Sequence, residues 1–127
     1  MSKKKILVVD DDADMRRGLS VRIKASGYEP VFAADAIMAA SIALKEKPDL
    51  VLLDLGLPGG DGAVVMQRLQ NLAPLTGVPI IIITAREAVN HGARLITAGA
   101  LAYFQKPIDI DALMARIASA IGAGEAA

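Results

Sequence analysis

Ile6-Leu7-Val8-Val9-Asp10-Asp11-Asp12 is a run of four branched aliphatic residues that stops abruptly on three aspartates. The pattern returns along the chain. Leu50 to Leu53 runs into Asp54, Ile80 to Ile83 runs into Thr84, and a fourth segment, Leu101 to Gln105, ends at Lys106-Pro107. Short apolar runs bounded by polar residues are the mark of strands buried on both faces of a parallel sheet. In an open parallel sheet, chemistry collects beyond the carboxyl ends of the strands. All four polar groups fall at such an end, so one pocket can hold three or more carboxylates, a hydroxyl and an ammonium. That set points to metal and phosphate chemistry.

Helical patterns of suitable length fill the intervals. Asp14 to Ser26 places Met15, Leu19 and Ile23 on one face, and Gly27 ends it. Glu29 to Ala33 reads as a second strand. Asp35 is positioned to N-cap a helix reaching Glu46, which Pro48 stops. Leu55 to Gly62 is a loop rich in backbone-permissive residues, and a helix follows to Asn71. Pro74 and Pro79 frame the next loop. Arg86 to Ala98 reads as a fourth helix closed by Gly99, and a fifth opens at Asp109 and runs to Ile121. Five strands alternating with five helices make an α/β, doubly wound parallel sheet with right-handed crossovers. Residues 1–121 are expected to form one domain, and 122–127 a frayed tail or the start of a linker.

Composition narrows the function. The 127 residues suffice for one compact domain and are too few for two. Fourteen basic residues balance fourteen acidic ones, which gives no electrostatic case for direct binding of nucleic acid or an anionic membrane. The absence of cysteine excludes a disulfide framework and a thiolate metal site, and suits a reducing compartment. The apolar stretch after Lys3-Lys4-Lys5 is too short for an export signal, and nothing approaches the ~20 apolar residues of a membrane span. A cytoplasmic, soluble protein is expected.

Asp10, Asp11 and Asp54 would share the ends of two neighbouring strands. Two carboxylates ~5 Å apart repel by roughly 3 kcal/mol at an effective dielectric near 20. A fold tolerates that when a cation fills the pocket or one group keeps a proton. Oxygen ligands without His or Cys select a hard ion, and carboxylates plus waters are a magnesium arrangement. Magnesium beside a carboxylate, a hydroxyl and an ammonium is suited to phosphoryl transfer, with a carboxylate as possible nucleophile. Spacing alone does not say which aspartate attacks. An isolated aspartate at a strand end would more simply cap a turn or helix.

With these residues in view, the chain resembles a response-regulator receiver domain of two-component signalling. The resemblance rests on LVVDD at Leu7 to Asp11, LLDLGLPGGDG at Leu52 to Gly62, IITA at Ile82 to Ala85, and AGA with YFQKP between Ala98 and Pro107. It implies a flavodoxin-like sheet of order 2-1-3-4-5. It also implies that Asp54 is the phosphoacceptor and that Asp10, Asp11, Asp54 and the carbonyl of Gly56 hold Mg2+. Lys106 would pair with a phosphoryl oxygen, and the Lys106-Pro107 bond would be cis. Thr84 and Tyr103 would form a switch that alters the surface of the fourth helix, fifth strand and fifth helix. The implied partners are a sensor histidine kinase or histidine phosphotransfer protein, with an output domain or target protein downstream. The implied chemistry is self-phosphorylation and self-dephosphorylation, without turnover of an external substrate.

Several positions depart from the family's usual pattern. Gly56 brings no side chain beside the acceptor, and Arg86 occupies the other position that commonly tunes phosphate lifetime. Ile108 replaces a frequent aromatic. Leu101-Ala102 stand where DNA-binding relatives often carry acidic residues used in dimer pairing, so a monomer or weak dimer is expected. Asn90 and Gly92 would loosen the fourth helix, and His91 there reads as a solvated residue. Ile37, Met38 and Val64 take helix positions that relatives usually leave charged. A second class also fits part of the chain. Asp10-x-Asp12-x-Asp14 after an apolar strand resembles the nucleophile motif of haloacid-dehalogenase-type phosphatases, with Thr84 and Lys106 as later elements, but it leaves Asp54 without a role.

Overall fold

A computed structural model describes residues 3–56, 62–85 and 99–124. In chain order the elements are β1 (Lys5–Val9), α1 (Ala13–Ala25), β2 (Glu29–Ala33), α2 (Ala36–Glu46), β3 (Leu50–Asp54) and α3 (Gly62–Asn71). A 3-10 turn (Ala73–Leu75) leads to β4 (Ile80–Thr84), β5 (Ala102–Gln105) and α4 (Ile110–Ile121). The strands form one sheet of order β2-β1-β3-β4-β5, and every pair is parallel. Four α-helices lie among the described residues. The expected helix over 86–98 lies outside them, as do His91, Arg86, Asn90 and Gly92.

Alternation along the strands builds two cores. Leu7, Val9, Val51, Leu53, Ile80 and Ile82 face one side, where Ala39 and Ala43 of α2 and Val65, Met66 and Leu69 of α3 cover them. Ile6, Val8, Leu50, Leu52, Ile81 and Ile83 face the other, against Leu19 and Ile23 of α1 and Leu113, Met114 and Ile117 of α4. Successive side chains point to opposite faces, so unbroken aliphatic runs are what a sheet covered on both sides requires.

Three aspartates fix the starts of three helices. Asp12 accepts the N–H groups of Asp14 and Met15, Asp35 that of Met38, and Asp109 that of Ala112. Lys47 closes α2 in the left-handed region at φ 50°, and Pro48 follows. Asp109 therefore caps α4, as the sequence implied. The loop framed by Pro74 and Pro79 opens on the 3-10 turn, which includes Pro74.

Residues 122–124, in the stretch expected as a frayed tail or the start of a linker, lie against the α1–β2 turn. Tyr28, buried behind the α1–β2 turn, donates its hydroxyl to the Gly122 carbonyl at 2.6 Å, and Lys4 donates to the carbonyl of Ile121. A Cβ on Gly124 would come within 1.9 Å of the Ser26 carbonyl oxygen, so the backbone there lies directly on the turn. Residues 125–127 lie outside the described set.

Candidate functional site

Strand register brings the polar residues together. Val9 pairs with Leu53, so Asp10 and Asp54 stand level at the ends of adjacent strands. Thr84 pairs with Gln105, which sets Lys106 one residue beyond the end of β5. Asp10, Asp11 and Asp54 each bring a carboxylate oxygen to within 4.8 Å of the others. Asp10 and Asp54 are buried, 1% and 5% exposed, while Asp11 is exposed and forms the open side.

The hydrogen bonds divide the carboxylate oxygens into those already engaged and those still available. Asp54 Oδ1 accepts the Gly56 N–H at 2.9 Å, and Oδ2 faces Lys106 Nζ at 3.2 Å. Asp10 Oδ1 accepts the Asp12 N–H at 2.9 Å. Asp10 Oδ2 is buried and makes no hydrogen bond among the described residues; Lys106 Nζ, 3.5 Å away, attracts it by charge without a well-made bond.

These environments act on the titrations. Burial pushes the Asp10 carboxyl above the usual aspartate range, and the Asp54 charge adds to that; the Asp12 amide and Lys106 pull the other way and do not offset it. Burial alone would lower the Lys106 ammonium. The carboxylates of Asp54 and Asp10 outweigh that effect and raise it, so Lys106 stays charged at neutral pH.

A buried carboxylate oxygen without a hydrogen bond, beside two further carboxylates, is the arrangement that a cation completes. The donors are all oxygen, and the chain has one histidine and no cysteine. The cluster can therefore hold a hard metal ion, with Asp10, Asp11 and Asp54 as ligands.

Of the residues expected at the site, the structure unites Asp10, Asp11, Asp54, Gly56 and Lys106. The Lys106-Pro107 peptide is cis. Tyr103 lies on the opposite face of β5 from Phe104 and is 37% exposed. The backbone of Thr84 ends β4, and its side chain lies outside the described residues, as do 57–61 of the adjoining loop. Ile37, Met38 and Val64 are exposed apolar residues on α2 and α3. Sequence reasoning missed Arg16, whose Nη1 donates to the Asp10 carbonyl at 2.7 Å. The one available signal was a cation in the opening turns of a helix, where the macrodipole disfavours it.

Residues 6–118 match the response regulator receiver domain family, and the chain belongs to it. The probable transcriptional regulator ycf27 of Porphyridium aerugineum is 42% identical over 121 residues, 95% of this chain and 49% of that protein. The chain thus spans about half the length of that relative. Sporulation initiation phosphotransferase F of Bacillus subtilis is 38% identical over 111 residues and is matched over 88% of its length, with 87% of this chain covered. Among solved structures, a CheY-like response regulator receiver domain protein from Methanospirillum hungatei superposes with a TM-score of 0.84 at 30% identity, over 93% of each chain. No helix among the described residues is long and apolar enough to cross a membrane.

Proposed function

We propose that this domain is a phosphorylation-driven switch that accepts a phosphoryl group on Asp54 from a histidine kinase or histidine phosphotransfer protein. The observation that carries the reading is the pairing of two buried carboxylates at adjacent strand ends with one lysine bridging both. Attack by an Asp54 oxygen on phosphorus forms the P–O bond as the donor's P–N bond breaks, and the electron pair leaves on the imidazole nitrogen. Asp10, Asp11, Asp54 and the Gly56 carbonyl would hold Mg2+, which when bound neutralises charge on the carboxylates and the equatorial phosphoryl oxygens. Lys106, kept charged by its neighbours, would pair with a phosphoryl oxygen once transfer is complete. Thr84 would bond the phosphoryl group, and Tyr103 would move inward, altering the surface of residues 86–98, β5 and α4. The domain would catalyse its own phosphorylation and slow hydrolysis, with no turnover of an external substrate. Its output would be an attached effector domain or a separate target protein.

The phosphatase alternative loses support from the geometry. Asp12 is spent as the α1 N-cap, and Asp14 is exposed on the helix, paired with Arg17 at 3.6 Å. Neither joins the cluster of Asp10, Asp11 and Asp54. Incubation with magnesium and acetyl phosphate or phosphoramidate, followed by mass spectrometry, tests the assignment. Acid-stable, base-labile phosphate on Asp54, lost in Asp54→Asn, is expected. Label that persists in Asp54→Asn and disappears in Asp10→Asn would assign the nucleophile to Asp10 instead.

A further inference from the structure

The Asp10–Asp11 peptide joins two of the three clustered carboxylates, and its carbonyl belongs to Asp10, one residue past the end of β1. This peptide lies between the two side chains that share the hollow with Asp54, so what holds it bears on how they are placed. The preceding peptide is anchored to the neighbouring strand, where Asp10 N–H donates to the Ala33 carbonyl at 3.1 Å. The partner of the Asp10 carbonyl is Arg16 Nη1 at 2.7 Å, reaching back from the opening turns of α1.

Arg16 occupies a costly place for a cation. It is the fourth residue of α1, beyond the Asp12 cap, where the helix dipole presents its positive end. It is half-buried, whereas its neighbour Arg17 is exposed and paired with Asp14. A guanidinium placed against the dipole and aimed at the backbone between two clustered acids has a local reason to be there. Its fork of donors fixes direction as well as charge.

We propose that Arg16 is a positioning residue for the metal pocket: by holding the Asp10 carbonyl it fixes the peptide from which Asp10 and Asp11 reach the hollow shared with Asp54. This rests on the metal-binding part of the reading above. Partners of this indirect kind typically change metal affinity 10–100-fold when removed. The sign is informative. Loss of a nearby positive charge by itself would tighten cation binding, whereas loss of positioning loosens it.

Mn2+ titration followed by electron paramagnetic resonance, on the wild type, Arg16→Gln, Arg16→Lys and Arg17→Gln, decides between them. Arg16→Gln is expected to bind Mn2+ about tenfold more weakly, with Arg17→Gln equal to the wild type and Arg16→Lys between, since its ammonium can still donate to the carbonyl but lacks the planar fork. In acetyl phosphate labelling, the Arg16→Gln defect should be recovered by raising the metal concentration, leaving the maximal rate close to wild type. A residue with only a structural role would lower thermal stability and leave the Mn2+ dissociation constant unchanged. Unchanged or tighter binding in Arg16→Gln overturns the proposal. Should that variant not fold, Arg16→Lys decides: wild-type affinity there overturns it, and weaker binding supports it. Wild-type protein that fails to bind Mn2+, or binds it equally well as Asp54→Asn and Asp10→Asn, would instead remove the metal site itself.

Discussion

Asp10 carries more of the site's tension than any other residue described. It is buried, one of its oxygens has no hydrogen bond, and its carboxyl is raised by burial and by Asp54. The stability consequence follows from linkage. Below an unfolded value near 3.8, both states hold the proton and the group contributes nothing. As pH rises from there, the unfolded chain ionises first while native Asp10 keeps its proton, so unfolding becomes easier until the native carboxyl has also ionised. Above that point the penalty is constant. Asp10→Asn keeps an acceptor for the Asp12 N–H and removes the charge. Without metal at neutral pH it is expected to be more stable than the wild type, seen as a higher Tm. The difference should shrink toward zero as the pH falls to the unfolded value, which thermal unfolding across a pH series would show. Gly56 is the opposite case, a position with room to spare. A Cβ there would meet Asp54 Oδ1 at 3.5 Å, ordinary contact, so Gly56→Ala should fold within about 1 kcal/mol of the wild type. By covering one side of the carboxylate it should slow hydrolysis of the phosphorylated form, measured as loss of label after removal of the donor.

At the scale of elements, what could be read in advance was what depends on near neighbours in sequence. β3 and β4 are unbroken aliphatic runs because both faces are covered, and their polar last residues mark where cover ends. Asp35 and Asp109 were legible as caps because a cap bonds to amides only three residues on. From these alone came the placing of Asp10, Asp54 and Lys106 at or just beyond the carboxyl ends of their strands. The strand order did not; it came from the resemblance. Contacts between distant segments left no periodic trace. Tyr28 reads as a lone aromatic before an edge strand, yet its hydroxyl holds the Gly122 carbonyl, 94 residues away. Burial raises that hydroxyl and keeps it a donor throughout the neutral range. Tyr28→Phe, which deletes the bond and keeps the ring, is expected to cost about 1 kcal/mol, seen as a lower urea midpoint at unchanged slope. Gly124→Ala meets backbone instead of a yielding side chain, so it should release this strap or cost about 1–3 kcal/mol.

For the molecule as a whole, the same pocket couples ligand to fold. The cluster is drawn from the ends of β1 and β3, and Lys106 from the end of β5, so it exists only when the central sheet is assembled. An unfolded chain keeps the aspartates without their convergence and should bind a divalent cation weakly. Binding to the native state alone stabilises by about 2.7 kcal/mol when free ligand is 100 times the dissociation constant. At this chain length that corresponds to roughly 8–16 °C in Tm. Magnesium titrated into the wild type should therefore raise Tm continuously with the logarithm of concentration once the site is saturated. Asp54→Asn and Asp11→Asn should blunt the rise, while substitution of the exposed Asp14, which stands outside the cluster, should leave it intact. A rise of equal size in all four proteins would show that the cation acts on general surface charge, and the convergence of strand ends would then have no bearing on metal affinity.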